Sequence, residues 1–144
     1  MARKLIVCLI AAVMMCSTLV FTGCSGSSSD ADVVISESKY VAYINEIYAN
    51  PGRYLEKSIN LEGMFDMIDN NWWVYRNGPG CCGTDATCGF ILTLDPANRP
   101  HKNDWVSVTG VLKMSSKSQY PYLKVTDIKV LSTRGAEKVE NSYM

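Results

Sequence analysis

From Ile59 to Leu131 apolar residues return at every second position in short runs, a pattern that a chain satisfies by building strands with unlike faces. Ile59, Leu61, Gly63 and Phe65 alternate with Asn60, Glu62, Met64 and Asp66, and Asp69-Asn70-Asn71 supplies a turn into Trp72-Trp73-Val74-Tyr75. Phe90, Leu92 and Leu94 mark a third strand, closed by the turn residues Asp95 to Pro100. Trp105 to Met114 is a fourth, with Val106, Val108, Gly110 and Leu112 on one face, and Tyr122 to Leu131 a fifth. Glycines inside strands, at 63 and 110, are expected to mark bulges where a small sheet coils sharply. Five such strands predict a closed or nearly closed barrel.

The barrel is preceded by a predicted helix. Ser36-Glu37-Ser38 opens it, Val41, Ile44 and Ile47 or Tyr48 recur at helical spacing, and Asn50-Pro51-Gly52 ends it. Tyr40, Tyr43, Tyr48 and Tyr54 are read as packing residues rather than an aromatic binding face. Residues 36–132 thus form one β-domain, followed by a polar tail, 133–144, that is expected to fray.

The first 35 residues address the chain rather than fold it. Arg3 and Lys4, an apolar run from Leu5 to Met15 and small residues before Cys24 describe an export signal over residues 1–23. The run is short for a membrane-spanning helix. Phe21-Thr22-Gly23-Cys24 resembles the lipobox of bacterial lipoproteins, which implies that Cys24 becomes a lipidated N-terminus, with acyl chains such as palmitate holding the protein at the membrane. Residues 24–35, rich in Ser, Gly and Asp, are then a flexible linker. Without Arg3 and Lys4 the chain has 12 basic against 14 acidic residues, a balance that argues against a nucleic-acid partner.

Removing the signal takes Cys8 and Cys16, and Cys24 is used in the anchor, so Cys81, Cys82 and Cys88 are the thiols left to the domain. They stand among glycines at 80, 83 and 89, which let a backbone turn tightly. A soft divalent metal such as zinc takes three or four thiolate, imidazole or carboxylate ligands, and these thiols with Asp85, or with the single histidine His101, could complete that set. The spacing is not the Cys-x-x-Cys of structural zinc sites. An exported chain also favours a disulfide, and Cys82 or Cys81 joined to Cys88 would close a small ring worth about 2.4 kcal/mol. A third thiol beside a disulfide is a redox arrangement, although no Cys-x-x-Cys motif accompanies it. His101, in Pro100-His101-Lys102-Asn103, is by itself the kind of loop histidine that is usually solvated. Of the adjacent Trp72 and Trp73, one is expected in the core and the other partly exposed, because neighbours in a strand face opposite ways.

Two resemblances bear on these readings. Glu62-Gly63 and Asp104 to Leu112 resemble the first and fourth strands of OB-fold proteins, with the helix placed before the barrel and Asp95 to Asn103 left as a loop. The fold expected is therefore mainly β, a small five-stranded OB-like barrel preceded by one α-helix, and it does not carry nucleic-acid binding with it. Cys81-Cys82-Gly83-Thr84-Asp85-Ala86, followed by Gly89-Phe90-Ile91-Leu92, resembles the Cys-Cys-x-x-Asp-Ala signature in the extracytoplasmic C-terminal domain of a bacterial family described as permease subunits, some linked to zinc supply. The likeness runs from Tyr54 to Val130, and it implies that Cys81, Cys82 and Asp85 are the functional positions with metal binding as their role. Members of that family carry membrane helices before the domain, whereas this chain has a lipid signal, so a transport role would need an envelope permease or other membrane protein as partner. Cys88 is additional to the signature.

The function expected is that of an extracytoplasmic lipoprotein at the cell membrane that binds zinc, or another transition metal, as an accessory to an envelope system. Its metal candidates are Cys81, Cys82, Asp85, Cys88 and His101. The alternatives are an interaction module with a disulfide-stapled loop and a thiol-redox protein. No Ser-His-Asp set, phosphate loop or paired-carboxylate site is present, so no enzymatic activity is expected.

Overall fold

The computed structural model describes residues 30–79, 85–116 and 119–140. The elements are β1 (Val33–Ile35), α1 (Tyr40–Ala49), β2 (Ser58–Ile68), β3 (Asn71–Pro79), β4 (Asp85–Thr93), β5 (Trp105–Met114) and β6 (Pro121–Val130). The protein is mainly β, one mixed sheet of six strands with one α-helix. The expected five strands are all present. The sixth, β1, lies in the stretch read as linker. It runs parallel to β2, Val33 opposite Ile59 and Ile35 opposite Leu61, and is fixed at its start by Asp32, whose carboxylate accepts from the Ser58 amide and hydroxyl at 2.8 and 2.7 Å.

Around the sheet β2 pairs with β3, β3 with β4, β4 with β6, β6 with β5, and β5 again with β2. All are antiparallel except β4–β6. Two turn features follow directly from sequence. Asp69 and Asn70 have φ of 49° and 60°, the left-handed pair of a two-residue hairpin between Ile68 and Asn71. The β5–β6 register slips between Thr109 and Gly110, the bulge expected there, with Thr126 of β6 as the residue left without an opposite number.

The core lies between the sheet and α1. Val41, Ile44 and Ile47 of the helix are buried with Ile59, Leu61, Phe65, Val74, Phe90, Leu92, Val106, Val108, Leu112 and Leu123. The tyrosines expected to pack do so: Tyr40 is buried, and Tyr43, Tyr48 and Tyr54 lie partly buried against the cluster. Trp72 stacks on Phe65 at 5.2 Å with the Arg99 guanidinium over its other side, whereas Trp73 turns to the opposite face.

The β2–β3 ladder is split. It ends at Met64 opposite Tyr75, where a Cβ on Gly63 would stand 2.6 Å from the Tyr75 carbonyl oxygen, so only glycine tolerates this approach. Below that point β1 takes the edge of β2, and the C-terminal tail takes the edge of β3. The Asn77 amide donates to the Glu137 carbonyl, and the Val139 amide donates to the Asn77 carbonyl, each at 2.8 Å. The tail expected to fray is therefore docked as far as Val139, which is 5% exposed.

Candidate functional site

Asp85 is the first residue of β4 and stands opposite Pro79, the last of β3. Its carboxylate is half exposed and meets Lys138 Nζ of the docked tail at 2.9 Å. That contact raises the pKa of the Lys138 amine, first through the hydrogen bond and then through the charge. Cys81 and Cys82 belong to the connection between Pro79 and Asp85 and lie outside the described residues, as does Cys24.

Cys88 lies three residues further along β4 and therefore on the other face of the strand. Its side chain enters a cavity of about 440 Å³ bounded by Val41, Ile44 and Tyr48 of α1 and by Trp73 and Ile91 of the sheet. Burial pushes its thiol pKa up to about 11, so it is neutral at physiological pH. Of the residues around it, Tyr48 stacks on Phe90 at 5.5 Å and donates its hydroxyl to the Gly89 carbonyl at 3.0 Å, which ties α1 to β4.

His101 is placed elsewhere. It precedes β5 with its side chain 98% exposed, Nδ1 3.7 Å from Asp104 and its amide donating to the same carboxylate. Asn103 donates to the carbonyl of Phe65, which pairs with Val74. From Val74 to Pro79 the strand advances five residues, roughly 17 Å. His101 thus sits at the opposite end of β3 from Asp85. The structure separates the three described candidates: Asp85 is at the rim, Cys88 in the cavity and His101 at the far end. Among the described residues no three His, Cys, Asp or Glu side chains gather as a metal set.

The groups that sequence reasoning passed over are Arg76 and Lys138. Arg76, 2% exposed, fills the split between β2 and β3: Nε donates to the Glu62 carbonyl at 2.9 Å, and Nη1 donates to Glu37 Oε2 at 2.8 Å and to the Ala136 carbonyl at 3.1 Å. The rings of Tyr40 and Trp105 each lie 4.8 Å from its guanidinium carbon. Its signal was present in the alternation, since Trp72, Val74 and Arg76 share a face, and a charge at an inward position asks for a partner. Lys138 carried no local signal. Its position depends on the tail finding the free edge of β3.

Chemically, the rim offers one accessible carboxylate with a displaceable cation partner. Among the described residues, the cavity offers uncharged surface and a neutral thiol, and a neutral thiol is a poor nucleophile at neutral pH. Among the described residues no helix is long and apolar enough to cross a membrane. The family model described as DUF1980 C-terminal domain matches residues 23–144. No curated protein and no solved structure matches the chain.

Proposed function

Because the chain belongs to the DUF1980 C-terminal domain family, we propose that it is a non-enzymatic, extracytoplasmic metal-binding lipoprotein that presents Cys81, Cys82 and Asp85 to a transition metal of the zinc class. In this reading Cys24 carries the lipid, and the ring of pairings from β2 through β3, β4, β6 and β5 back to β2 is an OB-like barrel that holds one rim away from the membrane.

The observation that carries the proposal is the state of Asp85. It follows Cys82 by three residues, stands at the mouth of the β3–β4 ladder, and among the described residues is engaged by an exposed lysine. Such a surface ion pair is worth about 0–1 kcal/mol, so a divalent cation displaces it at little cost. Cys88 and His101 leave the ligand set: one is a half-buried neutral thiol on the other face, the other is at the far end of β3. Two thiolates and a carboxylate suit zinc and leave a fourth position for water or for a ligand from a membrane partner. Metal bound there as cargo for an envelope transport system would be substrate rather than resident cofactor.

The test is a zinc titration against a chromophoric chelator, with thiol counting on the same samples. Cys81→Ser and Cys82→Ser are expected to weaken zinc at least about tenfold and Asp85→Asn by less, while Cys88→Ser and His101→Ala stay near wild type. Unchanged affinity in the Cys81 and Cys82 variants would remove the metal reading. A count of one free thiol in metal-free protein would favour the disulfide-stapled module instead.

A further inference from the structure

Among the described residues, the lower half of β4 is a strand edge with unused backbone groups beside a cavity lined by uncharged side chains. Asn77 of β3 turns both its amide and its carbonyl to the tail, away from β4. In an antiparallel ladder the two residues of such a pair turn away from each other together, so Thr87, opposite Asn77, faces its N–H and C=O outward from β3. The same rule holds at Gly89, whose carbonyl accepts from Tyr48 on that outer side, and at Asp85, whose partner Pro79 has no N–H to give. Among the described residues, β6 pairs with β4 from Ile91 to Thr93. Among the described residues, nothing pairs with the outer backbone groups of Thr87.

The cavity of about 440 Å³ runs along this edge. Val41, Ile44 and Cys88 bound it on the helix side, and Trp73, Ile91 and Tyr120 on the other, and among the described residues no charged side chain lines it. Its volume falls in the range of ligand pockets. The outward amide and carbonyl of Thr87 are complementary to one kind of molecule, another main chain in extended form, and native proteins usually cover such edges.

We propose that the Asp85–Gly89 edge of β4 is a docking site for an extended, uncharged segment of a partner protein, which adds as a strand and places bulky apolar side chains in the adjoining cavity. A second copy of this chain pairing through the same edge fits less well. It would bring Ala86, Thr87 and Cys88, side chains too small to fill the space. The partner segment therefore alternates apolar residues, which enter the cavity, with small polar ones, which face solvent. The site is separate from the metal reading, because it uses the backbone of β4 and the helix-side cavity and needs none of Cys81, Cys82 or the Asp85 carboxylate.

The experiment uses the full chain and a dye-labelled, end-capped octapeptide of alternating Ser and Leu, followed by fluorescence polarisation and by hydrogen exchange over β4. Binding and slower exchange at β4 are expected. The same peptide N-methylated at alternate residues, and one with Lys in place of Leu, are each expected to bind at least about tenfold more weakly. Thr87→Pro removes the outward N–H without touching the β3 ladder and is expected to lose binding similarly, while Tyr120→Ala, at the exposed rim, costs about threefold. If Thr87→Pro does not fold, the comparison between the plain and the N-methylated peptide on the unaltered chain decides. Equal affinity for those two peptides, no polarisation change at about 1 mM, or β4 protection that rises with protein concentration in the absence of peptide would each overturn the proposal.

Discussion

Arg76 is the one buried charge among the described residues, and truncating it should loosen the fold at an identifiable place. In Arg76→Ala the carbonyls of Glu62 and Ala136 lose their donor, and the Tyr40 and Trp105 rings lose the guanidinium between them. Breaking a fully buried ion pair by removing one partner costs about 3–5 kcal/mol, but the Glu37 side chain is 56% exposed and regains water when Arg76 leaves. Hydrogen bonds to a charged donor are worth about 1.5–3 kcal/mol each and a desolvated cation–π contact up to about 2, and these overlap heavily in one side chain. A loss of about 3 kcal/mol is therefore expected in urea unfolding followed by tryptophan fluorescence. Arg76→Met keeps packing between the rings and leaves only the two carbonyls unsatisfied, so it should cost less, about 1–2 kcal/mol. The location of the damage is a sharper readout than its size. Amide exchange at Asn77 and Val139, whose bonds dock the tail, should accelerate more than exchange at Phe90 in the core. The Arg76 hydrogen bond, then the Ala136 amide, hold the Glu37 carboxyl below the usual glutamate range. A depressed carboxylate contributes stability above its unfolded pKa and loses it as pH falls through the folded one. Acid sensitivity below the ordinary glutamate value should therefore flatten in Arg76→Met. An Arg76→Ala cost under about 1 kcal/mol, or unchanged exchange at Asn77 and Val139, would refute this account of the split sheet.

Further outcomes follow from single contacts. Gly89→Ala would place a Cβ 2.0 Å from the Val74 carbonyl oxygen and should prevent native folding, whereas Gly52→Ala meets nothing within 4 Å and should be neutral or stabilising by about 0.4–1 kcal/mol; thermal melts of the pair check both. Tyr48→Phe keeps the ring on Phe90 but drops the bond to the Gly89 carbonyl, and should cost about 0.5–1.5 kcal/mol in urea. With its pKa near 11, Cys88 should react with iodoacetamide at least about tenfold more slowly at pH 8 than an exposed cysteine, the scarcer thiolate outweighing its higher intrinsic reactivity; rates that converge above pH 11 confirm the cause, and equal rates at pH 8 contradict it.

What could be seen in the sequence was what neighbours along the chain decide. The alternation, the Asp69-Asn70 turn, the Gly110 bulge and the helical face of Val41, Ile44 and Ile47 depend on residues a few positions apart, and each appeared where expected. β1 and the tail depend on distant partners. Val33–Ile35 has too few residues to announce a strand and is extended because Ile59–Leu61 offers an edge, while Val139, an isolated apolar residue in a polar tail, is buried because β3 has an edge left open by the split. The separation of Asp85 from Cys88 has one cause. The third strand was expected to start near Phe90, with Cys88 at its entrance and Asp85 in the glycine-rich loop before it. Cross-strand pairing with β3 carries β4 back to Asp85, and once both residues belong to a strand, a separation of three sends them to opposite faces. That parity assigns Asp85 to the rim with Lys138 and Cys88 to the cavity under α1. A Cys88→Ser variant should consequently leave zinc affinity alone and alter peptide docking at the β4 edge, whereas Asp85→Asn should do the reverse, and a variant that changed both together would show that rim and cavity are one site.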